Sequence, residues 1–220
     1  MKKKIGIIFF VFSNLFSYAQ QPLQSLDLGV SGAIENNTSN VSLSVSHHKQ
    51  LKKFQVYYGL RFNNIFNSTM MFDVDQPSVR MSQNTTSYTS ANNIYIGLNW
   101  NFIGGFSFGL NTDIAGFSFG SNQHSYYNLY LDSTGFPNYK NLVQTKPVTN
   151  NLWMFSNSLG SINQEIYVEY LSENRWKMRG GLSHLTAEMI ASGGGLAQEK
   201  NVQNDFPLFF LNVSYQIWKK

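Results

Sequence analysis

Residues 181–188 read GLSHLTAE and hold the most reactive-looking pair in the chain. His184 and Thr186 stand two apart, so in an extended strand they share one face. Glu188 continues that parity, and Glu199 follows in the next connection. An imidazole within reach of a hydroxyl and oriented by a carboxylate is the arrangement that activates a nucleophile for acyl transfer. The plainer role for a lone histidine here is a polar rim residue. His47, His48 and His124 raise the question of a metal. Adjacent residues of a strand point to opposite faces, so His47 and His48 do not chelate together. Polar turn and loop positions account for all three. No phosphate loop, dinucleotide fingerprint or zinc spacing is present, and neither cofactor nor metal is expected. A second set of charges is more regular. Asp27, Arg61, Asp113, Glu165, Glu169, Lys177 and Arg179 all fall on the polar parity of alternating segments.

Those segments must position the chemistry. Apolar and polar residues alternate over 25–34, 41–47, 54–66, 93–103, 105–114, 162–171, 175–186 and 207–218. The clearest is NIYIGLNWNFI, where Ile94, Ile96, Leu98, Trp100 and Phe102 oppose Tyr95, Gly97, Asn99 and Asn101. Connections 48–53, 104–105 and 172–174 are short. Connections 67–92, 121–161 and 187–206 are long and polar, and 35–40 falls on their side. An even count of spans with short turns at one end and long loops at the other predicts an all-β fold. It is a single antiparallel, up-and-down transmembrane β-barrel of eight strands. A ten-strand version would use 125–131 and 139–148 as two further spans. Weak alternation and Pro147 favour an extension hairpin above the barrel instead.

The ends and the composition agree. Lys2, Lys3 and Lys4 precede the short apolar run IGIIFFVF, and Ser17-Tyr18-Ala19 offers small residues at a cleavage site. This pattern predicts a secretory signal peptide over 1–19 and a mature outer-membrane barrel domain over 20–220. The formal charge of +4 then mostly leaves with the leader, because three of 16 basic residues precede the cut and 12 acidic ones remain. A chain so near neutral lacks the clustered basic footprint of a nucleic-acid partner. Cysteine is absent, so no disulfide framework holds the fold. Charged residues make up 13% and aromatics 15%, a balance suited to strands with one face in lipid and one in a polar interior.

With the apolar face outward, the seven charges point inward. Buried charge is costly unless paired, so a structural ion network filling the lumen is expected. Eight strands leave room for side chains but no open channel. The repeated FSFG at 106–109 and 117–120 has an odd offset. The second copy therefore either caps the lumen mouth or is returned to the outward face by a bulge at Ala115-Gly116. Tyr126, Tyr127, Tyr130 and Trp153 lie in the long polar connections, where rigid scaffolds commonly carry binding function.

Architecture, the Ser-Tyr-Ala-Gln leader end and the final LFFLNVSYQIW resemble small OmpA- or OmpX-like outer-membrane barrels of the Bacteroidota type. The resemblance implies insertion by the general outer-membrane assembly machinery and both termini in the periplasm. It also implies contact with outer-membrane lipid and lipopolysaccharide, and it supplies no activity. The last residue is Lys220, where proteobacterial barrels commonly end in Phe. GLSHLTAE also looks somewhat like the His-x-Ser pair of outer-membrane lipid A deacylases, with Thr in place of Ser and without the surrounding Asn-rich motif. Three roles follow. The first is a structural or surface-binding barrel. The second is an accessory barrel with an envelope protein partner, in a secretion, gliding or transport complex. The third is a lipid A-modifying hydrolase.

Overall fold

A computed structural model describes residues 23–35, 38–67, 71–73, 79–82, 87–129, 140–151, 160–193 and 200–220. The leader expected over 1–19 lies outside them. The described strands are β1 (Gln24–Glu35), β2 (Thr38–Leu51), β3 (Phe54–Asn67), β4 (Met71–Asp73), β5 (Val79–Ser82), β6 (Ser87–Ile103) and β7 (Phe106–Phe119). They continue with β8 (Gln123–Leu129), β9 (Lys140–Pro147), β10 (Asn150–Asn151), β11 (Ser161–Leu171), β12 (Trp176–Gly193) and β13 (Lys200–Lys219).

Eight of them close on themselves. Antiparallel pairing runs β1-β2-β3-β6-β7-β11-β12-β13 and returns from β13 to β1. Closure leaves no free ladder edge at barrel level. Period-two alternation separates two surfaces. Leu28, Val30, Leu43, Leu60, Trp100, Phe108, Val168, Leu211 and their outward neighbours are exposed, whereas Asp27, Arg61, Asn99, Asp113, Glu169 and Lys177 are buried.

The eight strands expected from alternation all form, and several reach further. The turn after β2 shrinks to Lys52-Lys53, with Lys52 at a φ of 56°. His48, expected in that turn, is therefore a strand residue on the inward parity of Ser42, Ser44 and Ser46. Gly104 and Gly105, at φ 55° and 85°, make the tight β6–β7 hairpin that L side chains would resist. Of connection 187–206, expected as a loop, residues 187–193 and 200–206 instead prolong β12 and β13, which stay paired from Trp176↔Tyr215 to Ala191↔Lys200. Residues 123–129 and 140–147 form the extension hairpin β8–β9. Above Ser161, β12 exchanges its neighbour β11 for β9, pairing Met189 with Pro147.

The two FSFG copies lie on one strand. Opposite Ile94↔Ala115 the next pair is Tyr95↔Asp113, so Ile114 is an extra residue in β7. This bulge sits one residue before the expected Ala115-Gly116 and inverts the parity. Phe117 and Phe119 consequently face outward, each 52% exposed, while Ser118 is buried. Deleting Ile114 should exchange these faces. In lipid vesicles, a nitroxide quencher at the bilayer surface should then quench a probe on Ser118→Cys rather than one on Phe117→Cys.

Candidate functional site

The barrel interior is the most elaborate polar site among the described residues. Near the end where β1 begins and β13 finishes, called the terminus side below, Lys177 Nζ donates to Asp27 Oδ2 at 2.5 Å. His48 Nε2 lies 3.0 Å from the same oxygen and 2.8 Å from Ser46 Oγ, and its Nδ1 is 3.0 Å from Gln55 Oε1. One step further in, Arg179 Nε donates to Glu169 Oε2 at 2.5 Å. Asn99 and Ser107 donate to the other Glu169 oxygen at 3.2 and 3.3 Å.

Towards the far end a second layer is built around Arg61. Its Nη1 is 2.8 Å from Glu165 Oε1 and its Nη2 donates to Asn111 Oδ1 at 2.6 Å. Asn111 in turn donates to Glu165 Oε2 at 2.7 Å. Asp113 stands 3.7 Å from Arg61 Nε and accepts from the Asn93 side chain at 2.7 Å and the Asn163 backbone N–H at 2.9 Å. All seven charges placed on the polar parity thus point into the lumen, each within salt-bridge distance of an opposite charge. Such pairs hold only with their remaining hydrogen-bond capacity met, and here the asparagines and His48 largely meet it. Sequence reading missed His48 and the bonding roles of Asn93, Asn99, Asn111 and Asn163. Their inward parity was the available signal.

Between the layers stand Tyr57, Tyr95 and Tyr167, each buried. The hydroxyls of Tyr57 and Tyr167 bond to each other, and Tyr167 also donates to Asn99 Oδ1 at 2.6 Å. The Arg179 guanidinium lies 5.2 and 4.9 Å from the Tyr57 and Tyr167 ring centres, and Arg61 lies 4.6 Å over Tyr95. Each ring fits because its cross-strand partner is glycine: Tyr57↔Gly97, Tyr95↔Gly59, and Tyr167 against both Gly109 and Gly181. The tyrosines come from β3, β6 and β11, and the facing β1–β2–β13 wall is mostly small there (Gly29, Ser31, Ser42, Ser44 and Ser214), with Phe210 of β13 meeting Tyr167 edge-on at 6.2 Å.

A cavity of about 460 Å3 opens at the terminus-side mouth between the β2–β3 and β6–β7 turns. Lys52 and Lys53 stand at its edge, and Glu169 and Lys177 line it, already ion-paired.

On the outward parity, His184 is exposed and Thr186 buried, and the two meet at a carboxylate that sequence reading did not select. Thr186 Oγ1 donates to Asp205 Oδ1 at 2.7 Å, and His184 Nε2 is 3.6 Å from that oxygen. The hydroxyl is thereby committed to the carboxylate rather than to the imidazole. Glu188, on the same parity, is buried and accepts from the Gly160 N–H at 2.8 Å. Glu199, Tyr130 and Trp153 lie outside the described residues. Tyr126 and Tyr127 are on β8, paired with Leu142 and Asn141. His47 and His48 point to opposite faces, and no described group of three or more His, Asp or Glu is arranged to hold a metal ion.

No family model matches the chain, and no curated protein matches it. Among solved structures, a crystal structure of Neisserial surface protein A is 9% identical with a TM-score of 0.37, covering 91% of this chain and all of that one. A Pseudomonas aeruginosa FadL homologue is 7% identical with a TM-score of 0.24, covering 91% of each chain. Likenesses this distant carry no argument, and the assignment stands on the barrel itself. A sheet without edges, apolar outside and polar within, satisfies every requirement for crossing a bilayer with strands. Closed by eight antiparallel strands, the chain has the architecture of an outer-membrane β-barrel protein.

Proposed function

We propose that the protein is a structural or surface-binding outer-membrane barrel with a plugged lumen, inserted with both termini in the periplasm and its long connections outside. The paired charge layers carry this reading. An interior occupied by Arg61–Glu165–Asp113, the tyrosines and Arg179–Glu169 leaves charged side chains committed to one another rather than to passing ions. The connections support this orientation: the tight turns β2–β3, β6–β7 and β11–β12 lie beside the termini, whereas the two long connections, after β3 and after β7, leave from the opposite end. Lipid and lipopolysaccharide contact the apolar belt. The β8–β9 hairpin with Tyr126 and Tyr127, and the polar connections that hold Tyr130 and Trp153, present the binding surface. We place hydrolysis below this role, because Thr186 donates to Asp205 and not to His184.

Purified protein in planar bilayers is expected to show no steady single-channel current at neutral pH. Sustained ion-selective conductance would overturn the plugged-lumen reading. A second reading, an accessory barrel of an envelope complex, draws on the terminus-side rim. There Lys52 and Lys53 stand at the open cavity, and Arg175, Lys219 and Lys220 are exposed at the same end of the barrel. An acidic periplasmic partner would suit that rim, and native co-purification from mildly solubilised membranes would recover it.

A further inference from the structure

The cavity at the terminus-side mouth is lined by charges of two kinds. Lys177 and Glu169 at its inner end are already neutralised, by Asp27 and Arg179. Lys52 and Lys53 at its edge are exposed, and neither ammonium is within salt-bridge distance of a carboxylate among the described residues. The lining therefore keeps two uncompensated positive charges. A recess walled by protein concentrates their field.

The turn that carries them is held in place. Gln50 Nε2 donates to the Lys52 carbonyl at 2.6 Å, and the Asn101 backbone N–H donates to the Lys53 carbonyl at 2.7 Å. The second bond ties the β2–β3 turn to β6. Asn101 also lines the cavity, opposite Ser107 and on the inward parity of Asn99. Its side chain is half-buried, and no hydrogen bond among the described residues reaches its amide. A primary amide offers a donor and an acceptor, the complement of a peptide bond. Ile103 and Leu171 add apolar surface to the same lining.

These groups select an occupant. Free ammoniums suit carboxylate or phosphate. Guanidinium forks favour phosphate, and Arg61 and Arg179 are already committed to Glu165 and Glu169. An unpaired amide and apolar side chains beside two lysines fit an acidic peptide instead. At about 460 Å3 the cavity falls within the roughly 300–1,000 Å3 of ligand sites and admits a short extended segment. Resting on the accessory-barrel reading, we infer that the terminus-side mouth is a binding site for an acidic peptide segment, its carboxylates on Lys52 and Lys53 and its backbone on Asn101.

The protein in phosphatidylcholine nanodiscs exposes both mouths, so binding there does not depend on orientation. Fluorescence anisotropy of a labelled acetyl-Glu-Leu-Glu-Glu peptide should report saturable binding. The Gln-Leu-Gln-Gln counterpart should bind roughly tenfold more weakly. Lys52→Gln combined with Lys53→Gln should weaken binding of the acidic peptide by about tenfold. Asn101→Ala should weaken it about threefold to tenfold, the scale of one hydrogen bond. Lys219→Gln combined with Lys220→Gln removes the same charge from the same rim outside the cavity, and should stay within about twofold. An equal loss from the Lys219 and Lys220 pair, or none from Asn101→Ala, would reduce the site to a charged rim and overturn the pocket. Inorganic phosphate competing as well as the peptide would overturn the peptide assignment. Native co-purification separates this inference from the reading beneath it. A partner recovered equally with and without Lys52 and Lys53 would sink the pocket and leave the accessory role. Peptide binding with no partner recovered would sink the accessory role alone. Heat-modifiable gel mobility of each variant checks that the barrel has formed before binding is read.

Discussion

Arg61→Met is expected to lower unfolding stability by ~3–5 kcal/mol, the scale of a buried pair stripped of one partner. Arg61 alone reaches Glu165, Asn111 and Asp113, and its guanidinium also covers Tyr95. Methionine fills much of the stem volume and removes only the charge. Among the described residues, two carboxylates then remain in a closed lumen with no other cation within salt-bridge distance, and Asp113 Oδ1 already lacks a hydrogen bond. Urea titration in lipid vesicles, read by tryptophan fluorescence and by heat-modifiable mobility, measures the loss. Adding Glu165→Gln should return part of it, because one stranded charge disappears. Arg175→Met, exposed at the rim, should stay within about 0.5 kcal/mol of the parent. A loss below about 1 kcal/mol for Arg61→Met would mean that water enters the lumen freely enough to solvate both acids.

Gly97→Ala should be nearly as damaging, by ~3 kcal/mol or more, although it adds one methyl. A Cβ at position 97 would collide with Cζ and the hydroxyl oxygen of Tyr57. That ring cannot step aside. It stacks on His48 at 4.7 Å, meets Tyr95 edge-on at 5.9 Å and holds the Tyr167 hydroxyl. The measurement is folded yield and urea midpoint on refolding into vesicles. Tyr57→Ser in the same chain should rescue folding by emptying the collision, giving a large non-additive term in the double-mutant cycle. Gly32→Ala is the matched control, since nothing lies within 4 Å of its added carbon. It should change stability by less than about 0.5 kcal/mol.

Both expectations rest on relations between strands, and that marks what could be read from the chain alone. Alternation along a single strand is local. A residue faces lipid or lumen according to odd or even position, so NIYIGLNWNFI declares its two faces without any neighbour. For the same reason the seven charges could be placed inward by parity, and the turn at Gly104-Gly105 by its need for positive φ. His48 shared that parity with Ser42, Ser44 and Ser46. Its place in strand rather than turn is not local information, because strand ends depend on how far the partner strand keeps pairing. The stretch 187–206 was hidden likewise, since β12 and β13 outlast the bilayer by bonding to each other.

Local alternation and turn chemistry are enough for the class: eight two-faced strands, a polar charged interior, tight turns at one end and the two longest connections at the other. Which residues meet is a property of the closed sheet. Barrel shear and turn length set which residue opposes which. They bring Tyr57 against Gly97, Lys177 to Asp27 from 150 positions away, and Gln164 between Thr112 and His184. One extra residue at Ile114 turned the second FSFG outward, because a bulge changes parity for everything beyond it. Period two belongs to one chain segment, whereas register belongs to the closed sheet.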